Sequence, residues 1–453
     1  MNLFRPTIAA SLILLLPACT SIGKIDNQPL DAGFDRSTAY TMANQRKHHK
    51  NGENSMFLAF SGGGTRAAAL SYGVLKELRD THLPDGETLL DDVDRISSVS
   101  GGSFTAAYYG LYGERIFDDF EQRFLRQDIQ GDLTDSVLSF SRLFSTTSRT
   151  ELAVNYYDTH IFDGKTFADL RPDGPMILIN ATDLMAEAQF VFFQPQFDFL
   201  CSDLSSFKIA RAVTASSAVP LVFDPILLEK YQHCGFEAPA WLSEGRKRAK
   251  RDGDKRLAEV VRSFDTYLEP DGPEYAALVD GGITDNIGLR TLTRTASLIA
   301  DRKAYFNKAN KHDRPKRFIV IAVNASTSTD TGIGRSLEMP SFSATINALT
   351  DVQLHLYNTE TNALVKESII QWASEVSTPE HPVTPYFIEL DIEGIKDPAI
   401  RAVFNQTPTS FSLTPEQVDL MIGLGGSLLR DNPTYQTLLK DLHADRVTSA
   451  TAH

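Results

Sequence analysis

The sequence predicts a three-layer α/β fold in which a mostly parallel central sheet is flanked by helices. Two observations support this prediction: continuous runs of Val, Ile and Leu recur along the chain, and segments with helical spacing lie between them. Strands buried on both faces have such uninterrupted apolar runs, and helical crossovers join parallel strands. The runs predicted as strands are residues 56–61, 94–99, 176–184, 276–279 and 317–325.

Helices are predicted directly after the first two strands and in three longer additions. Residues 65–79 and 102–112 show the helical spacing expected of crossovers. The additions predicted to be mainly helical are residues 113–165, 229–268 and 341–450. Within the last, one long helix over residues 341–372 is predicted, with an apolar side formed by Leu349, Val352, Leu356 and Leu364.

The N-terminal segment is typical of an exported lipoprotein. An apolar run over residues 7–16 is too short to span a bilayer but suits a signal peptide. It ends in Leu16-Pro17-Ala18-Cys19, which resembles a bacterial lipobox with Cys19 as the lipidated residue. We therefore expect a signal peptide over residues 1–18, a polar tether over residues 19–54 and anchoring in the bacterial cell envelope. Because Thr20 rather than Asp follows the cysteine, we expect the outer membrane. An ordinary secretory signal with a chance cysteine is the alternative.

The composition is that of a soluble globular chain, with 453 residues of which 42% are hydrophobic and 23% charged. A large core is therefore possible after the tether, and without a convincing linker beyond residue 55 we predict one domain over residues 55–453. The net charge of −14 argues against a nucleic-acid partner. Cysteines and histidines lack metal-ligand spacing, so we expect neither a metal nor a cofactor.

Cys201 and Cys234 are the two cysteines that remain besides Cys19. An exported chain can hold a disulfide, and an even pair is available. We expect a Cys201–Cys234 bond, with two reduced, partly buried thiols as the alternative.

Three short blocks carry the residue types that ester hydrolysis requires: a nucleophile, a base and donors for the oxyanion. Ser100, in Ser98-Val99-Ser100-Gly101-Gly102, lies between a predicted strand and a predicted helix. A sharp strand–turn–helix connection exposes a serine and leaves no room for a side chain at Gly102. Ser98 stands where the usual motif has its first glycine, so this block alone is only suggestive.

A second block, Gly62-Gly63-Gly64, also follows a strand and precedes a helix. Free N–H groups at a helix N-terminus favour negative charge. A phosphate-binding turn for a nucleotide is the alternative, but the motifs Gly-x-Gly-x-x-Gly and Gly-Lys-Ser/Thr are absent from this block. A plain tight turn also remains possible.

In the third block, Asp280 ends an apolar run and is followed by Gly281-Gly282. A carboxylate at the end of a buried strand lies where α/β folds bind ligands, and burial raises its pKa toward that of a useful base. The alternative is a structural aspartate in a turn.

These blocks, in this order, resemble the patatin-like phospholipase family, which combines a Gly-Gly-Gly-x-Arg/Lys loop, a Gly-x-Ser-x-Gly turn and an Asp-Gly-Gly/Ala segment. The stretches 212–225 and 280–286 agree as well, so that the similarity covers about residues 55–290. Departures are Ser98, and Gly288 where proline is common. The resemblance implies a Ser–Asp dyad of Ser100 and Asp280. It also implies an oxyanion hole of the backbone N–H groups of Gly62, Gly63, Gly64 and Gly101, supported by the charge of Arg66.

We therefore expect an enzyme that cleaves acyl esters of phospholipids or lysophospholipids through an acyl-serine intermediate. Its expected partners are the lipid substrate and the membrane that holds the anchor; oligomeric state is left open. Two alternatives remain. One is a histidine-dependent esterase, although no histidine lies in a recognisable motif after Asp280. The other is a non-catalytic envelope lipoprotein that binds lipids or a partner.

Overall fold

The computed structural model describes most of the chain, but the predicted signal segment 1–18 and Cys19 lie outside the described residues. Those residues are 23–45, 52–129, 131, 148–220, 222–232, 234–301, 304, 314–327, 337, 339 and 341–446.

A central sheet of eight strands organises the described part of the chain. The strands of this part are β1 (Gln28–Pro29), β2 (Asn54–Phe60), β3 (Thr81–His82), β4 (Val93–Val99), β5 (Met176–Asp183), β6 (Ala188–Val191), β7 (Ser202–Asp203), β8 (Ile226–Glu229), β9 (Tyr275–Asp280), β10 (Arg317–Val323), β11 (Thr384–Leu390) and β12 (Asp445–Arg446). Their order in the central sheet is β11-β10-β2-β4-β5-β9-β8, with β6 also paired to β5. The pairs from β11 to β5 are parallel, whereas β9, β8 and β6 run antiparallel to their neighbours.

Helices cover both faces of this sheet, which makes the α/β prediction correct. They are α1 (Met42–Gln45), α2 (Gly64–Arg79), α3 (Gly101–Tyr112), α4 (Ile116–Phe120), α5 (Arg149–His160), α6 (Gln194–Phe197), α7 (Ile209–Ser216), α8 (Ala240–Asp252), α9 (Lys255–Asp265), α10 (Gly282–Asp285), α11 (Arg290–Leu298), α12 (Phe342–Val376), α13 (Pro398–Gln406), α14 (Pro415–Asp431) and α15 (Pro433–Leu442). In the described part of the chain, no helix is long and apolar enough to cross a membrane.

Strand β2 shows why the strand sequences are apolar without alternation. Met56, Leu58 and Phe60 belong to the larger core, together with residues of α2, α3 and α14. Phe57 and Ala59 belong to the core on the other face, with residues of α12. Because successive side chains of a strand point to opposite faces, both sets must be apolar when both faces are covered.

Glycines allow α14 to lie directly against α2. A Cβ added to Gly73 would come within 2.1 Å of the Ile422 carbonyl oxygen, and one added to Gly425 within 2.1 Å of that of Leu70. The two backbones therefore touch. Since α2 begins in the glycine loop, this contact ties the C-terminal part of the chain to the position of that loop.

The prediction of a polar tether over residues 19–54 is wrong for residues 23–45, which pack against the domain. Strand β1 pairs with β7, and the buried Asn27 side chain donates to the Ser202 hydroxyl at 3.0 Å. The Tyr40 hydroxyl accepts the Ile177 amide at 2.7 Å. Polar composition suggested a linker, but these polar groups bond to the domain.

The predicted addition over residues 341–450 also needs correction. It contains β11, which forms the parallel edge of the sheet beside β10. The long helix is present as α12, but Val352 and Leu356 of its predicted apolar side are exposed, whereas Val365 and Ile369 are buried. The other two additions contain α4 and α5, and α8 and α9; residues 132–147 of the first lie outside the described residues.

Candidate active site

The register of three adjacent strands brings the serine block and the aspartate block together. Val99, the last residue of β4, pairs with Asn180 of β5, and the next residue, Ala181, pairs with Asp280 of β9. Only β5 separates β4 from β9, and neighbouring strands lie about 4.8 Å apart. Strand β9 runs antiparallel to β5, which the sequence did not predict, and it pairs only with the last residues of β5, from Ala181 to Asp183. It therefore ends at Asp280, level with the point where Ser100 leaves β4.

Ser100 occupies a sharp turn between β4 and α3, with φ 49° and ψ −121°. This is an uncommon conformation for a residue with a side chain, and such strain persists where the surroundings enforce it. The Ser100 amide donates to the Ser216 hydroxyl at 2.8 Å, and that hydroxyl donates to the Asn180 carbonyl at 2.6 Å. A Cβ on Gly102 would lie 2.7 Å from the Phe60 Cβ, so the turn accepts only glycine there.

Asp280 is buried at the end of β9, and the Ser100 hydroxyl lies near enough to its carboxyl group to lower its pKa. Its backbone amide donates to the Ala218 carbonyl at 3.0 Å, and the Gly282 amide donates to its carboxylate Oδ1 at 2.7 Å. Burial raises the pKa of Asp280 to about 6, although the contacts with Gly282 and Ser100 oppose the rise. The residue is therefore ionised at neutral pH and more basic than an ordinary aspartate.

The glycine loop lies over this pair, with Gly63 at φ 137° and Gly64 at φ 61°. A Cβ on Gly62 would lie 3.4 Å from the Ser100 Cβ, and one on Gly101 only 2.0 Å from the Gly64 carbonyl oxygen. The loop and the serine turn are thus in direct contact.

The four glycine amides are not equivalent. Gly62 donates to the Asn286 carbonyl at 2.9 Å, so the expectation that its N–H serves the oxyanion hole is wrong for this conformation. The amides of Gly63, Gly64 and Gly101 have no acceptor within the described residues. Gly64 and Gly101 are the first residues of α2 and α3, where N–H groups lack helical partners.

Arg66 is buried beneath the glycine loop. Its guanidinium donates to the Ala325 carbonyl at 2.9 Å, to the Thr407 carbonyl, and to the Thr409 hydroxyl at 3.0 Å. The neighbouring Thr65 amide donates to the Ser410 carbonyl at 2.9 Å. The resemblance implied that Arg66 supports the loop through its charge; these contacts add directed hydrogen bonds to two distant segments.

The sequence did not single out several buried polar residues that hold the site. The Asn180 side chain donates to the Ser97 hydroxyl and to the Ser98 carbonyl, each at 2.9 Å. Asp285 accepts the Arg290 amide at 2.6 Å and the Gly288 amide at 3.1 Å. An asparagine within the apolar β5 run was a usable signal, because a buried polar side chain requires partners.

Cys201 and Cys234 form a disulfide with their Cα atoms 5.6 Å apart, far in sequence from the site. No group of three described His, Cys, Asp or Glu residues is arranged to hold a metal ion. Within the described ranges, no histidine contributes to the environment of Asp280, whose neighbours are Gly282 and Ser100.

Comparison with solved structures finds human GIVD cytosolic phospholipase A2, at 13% sequence identity and a TM-score of 0.44, over 86% of this chain and 60% of that one. The same human enzyme in complex with methyl gamma-linolenyl fluorophosphonate matches at 12% identity and a TM-score of 0.41, over 89% and 61%. The chain thus spans about three fifths of these proteins. No curated protein sequence matches it.

A family model described as patatin-like phospholipase matches residues 58–293, which include the glycine loop, the serine turn and the aspartate block. The match covers more than half of the chain and agrees with the resemblance of the three motifs. The chain belongs to the patatin-like phospholipase family.

Proposed function

We propose that this protein is a serine acyl hydrolase that cleaves acyl esters of phospholipids or lysophospholipids. The position of Ser100 level with the buried Asp280 across β5 carries the proposal, because it places a nucleophile near a base whose pKa is raised. Family membership supports a lipid ester as the substrate class.

In the proposed mechanism, Asp280 takes the proton of Ser100 Oγ as this oxygen attacks the ester carbonyl. The amides of Gly63, Gly64 and Gly101 donate to the developing oxyanion, which such groups stabilise in a water-excluded site. Asp280 then gives this proton to the leaving oxygen, and the alcohol or lysolipid departs. Water, deprotonated by the same carboxylate, then attacks the acyl carbonyl; the bond to Ser100 Oγ breaks, this oxygen takes the proton back from Asp280, and the fatty acid leaves.

Labelling with a fluorophosphonate probe tests the assignment of the nucleophile. We expect the wild-type protein to be labelled and Ser100→Ala to be unlabelled. Ser98→Ala is the matched control, because it removes a buried hydroxyl two residues away and should leave labelling unchanged. Labelling that persists in Ser100→Ala would contradict the proposal. A folded wild-type protein that resists labelling and hydrolyses no ester would favour the non-catalytic lipid-binding alternative.

We also propose that Cys19 carries the lipid anchor and holds the protein in the outer membrane. The support is the lipobox-like sequence alone. Metabolic labelling with palmitate should mark the wild-type chain and not Cys19→Ser. Fractionation of the inner and outer membranes should then recover the labelled chain in the outer membrane. A wild-type chain without label would refute the anchor.

A further inference from the structure

Large apolar side chains are exposed in the loops that surround the Ser100–Asp280 pair. Their exposed fractions lie between 43% and 51%. We call this set the apolar rim; its members are Leu184, Met185, Val219, Val222 and Ile283.

Hydrogen bonds hold three loops of the apolar rim to β9, within a few residues of Asp280. The Leu184 amide donates to the Ala277 carbonyl at 3.0 Å. Val219 follows Ala218, whose carbonyl accepts the Asp280 amide. Ile283 follows Gly282, whose amide binds the Asp280 carboxylate. Leu184, Val219 and Ile283 therefore lie in loops beside the end of β9 that carries Asp280, and Met185 and Val222 belong to the first two of these loops.

Backbone hydrogen bonds hold the loops in which Met185 and Val222 are exposed. The Met185 amide donates to the Asp183 carboxylate at 2.9 Å, and the Val222 amide to the Val219 carbonyl at 3.2 Å. A side chain held outward in this way gains nothing from the core, and exposed apolar clusters mark interaction surfaces.

Charge indicates which surface the rim fits. The segments 184–187, 217–225 and 281–286 contain no Lys or Arg. Of their two exposed acidic residues, Glu187 pairs with Arg262 at 3.4 Å, so Asp224 is the one that adds negative charge. The basic run 246–251 is on α8, where Arg246 pairs with Asp265 and Arg251 with Asp252. An apolar surface whose own segments carry no basic residue lacks the Lys and Arg clusters that attract anionic lipids.

We propose that the apolar rim docks the protein on the surface of neutral or zwitterionic lipid and so presents Ser100 to ester bonds at that surface. Contact is apolar, so that binding depends on these side chains and not on lipid charge. This inference rests on the proposed function, because it places the same site at a lipid surface.

Flotation with phosphatidylcholine vesicles tests the docking surface. All proteins are full chains that carry Ser100→Ala, which prevents turnover, and Cys19→Ser, which prevents lipidation. The rim variant adds Met185→Ser with Val222→Ser. The control adds Ile370→Ser with Val403→Ser, since these side chains are exposed to a similar extent, 52% and 45%, on α12 and α13.

We expect the rim variant to bind vesicles at least tenfold more weakly, because two half-exposed apolar side chains no longer enter the lipid. The control should bind like its parent. Phosphatidylglycerol in the vesicles should not strengthen binding, and salt should not weaken it. Equal binding by the rim variant, or binding that requires anionic lipid and is lost in salt, would overturn the inference.

A water-soluble short-chain ester separates this inference from the proposed function. With Ser100 intact, the rim variant should retain wild-type kcat/KM on that ester and lose activity on vesicles. If the wild type fails to hydrolyse the soluble ester, the proposed function fails while the docking result stands. If the rim variant also loses activity on the soluble ester, the rim belongs to the substrate pocket and the docking assignment is wrong.

Discussion

Replacing Asp280 by Asn should abolish activity and at the same time stabilise the folded protein at neutral pH. Asn cannot accept the Ser100 proton, but its side-chain oxygen can keep the bond from the Gly282 amide. The substitution also removes a charge that the fold buries. In the proposed mechanism the base and the buried charge are the same carboxylate, so the loss of activity and the gain in stability must appear together.

The magnitude follows from the pKa of Asp280, which burial raises from 3.8 to about 6. A shift of about two units corresponds to about 3 kcal/mol. Because the folded-state pKa is raised, the stability that this residue contributes is present below the unfolded pKa of 3.8 and is lost as pH rises through about 6. Above that pH, the wild type alone carries the cost of the buried carboxylate.

Urea unfolding at pH 4 and pH 7 measures this difference in free energy of unfolding. Between these two pH values, Asp280→Asn should gain about 2 kcal/mol relative to the wild type, because at pH 4 the unfolded-state carboxyl is already more than half ionised and part of the effect is present there. Asp285→Asn is the comparison, because burial also raises the pKa of Asp285 to about 6 and the same gain between the two pH values should appear. Both oxygens of Asp285 accept backbone amides, from Gly288 and Arg290, so an Asn there loses one acceptor and should cost about 1–3 kcal/mol at both pH values, which Asp280→Asn does not.

Activity provides an independent check on the same residue. The wild-type kcat/KM for a soluble ester should rise with pH and reach half of its maximum near pH 6, where Asp280 ionises. If Asp280→Asn retains more than a tenth of this activity, Asp280 is not the base. If its stability relative to the wild type is the same at both pH values, the carboxylate is not buried as a charge.

Five further substitutions test the packing that holds the site and the disulfide. Ser98→Ala should leave the free energy of unfolding unchanged or raise it by about 1 kcal/mol, because the buried Ser98 hydroxyl has no partner within the described residues. Ser97→Ala should lower the free energy of unfolding, since the Ser97 hydroxyl donates to the Gly288 carbonyl at 2.6 Å. Equal urea midpoints for Ser97→Ala and Ser98→Ala would contradict this pair of predictions. Gly425→Ala should separate α2 from α14 and strongly destabilise the fold, whereas Gly423→Ala, with open space around it, should stabilise by up to about 1 kcal/mol. Reduction of the disulfide, or Cys234→Ser, should cost about 4 kcal/mol, because the bond closes a separation of 33 residues; an unchanged thermal midpoint would show that the bond is absent.

The strands were predictable where helices bury both faces of the sheet. The run 317–325 is apolar at almost every position, and β10 pairs on both sides in the middle of parallel strands. Strand β11 was missed because its sequence, Thr384–Leu390, mixes buried and partly exposed positions at the sheet edge and follows a long helix. The spacing of apolar residues and the amino-acid composition do not distinguish such an edge strand from a loop.

The site was predictable in its residue types but not in its supports. Glycines, a serine and an aspartate in fixed local patterns predict their own turns. The occupation of the Gly62 amide by the Asn286 carbonyl depends on a contact across more than 200 residues, which no local pattern encodes. For the same reason, the packing of residues 24–45 against the domain could not be inferred from their polar composition.

The C-terminal part of the chain belongs to the site as much as the matched region does. The family match ends at residue 293, yet Arg66 within it bonds to Ala325 and Thr407, and Thr65 bonds to Ser410. Strand β10 also supplies the neighbour that β2 requires on its open side. An oxyanion loop must be held in place before the reaction, because donors that reorganise during catalysis lose their advantage. In this protein, that rigidity comes from segments that lie a long way from the motifs in sequence, so the three motifs specify the chemistry and the remainder of the fold fixes its geometry.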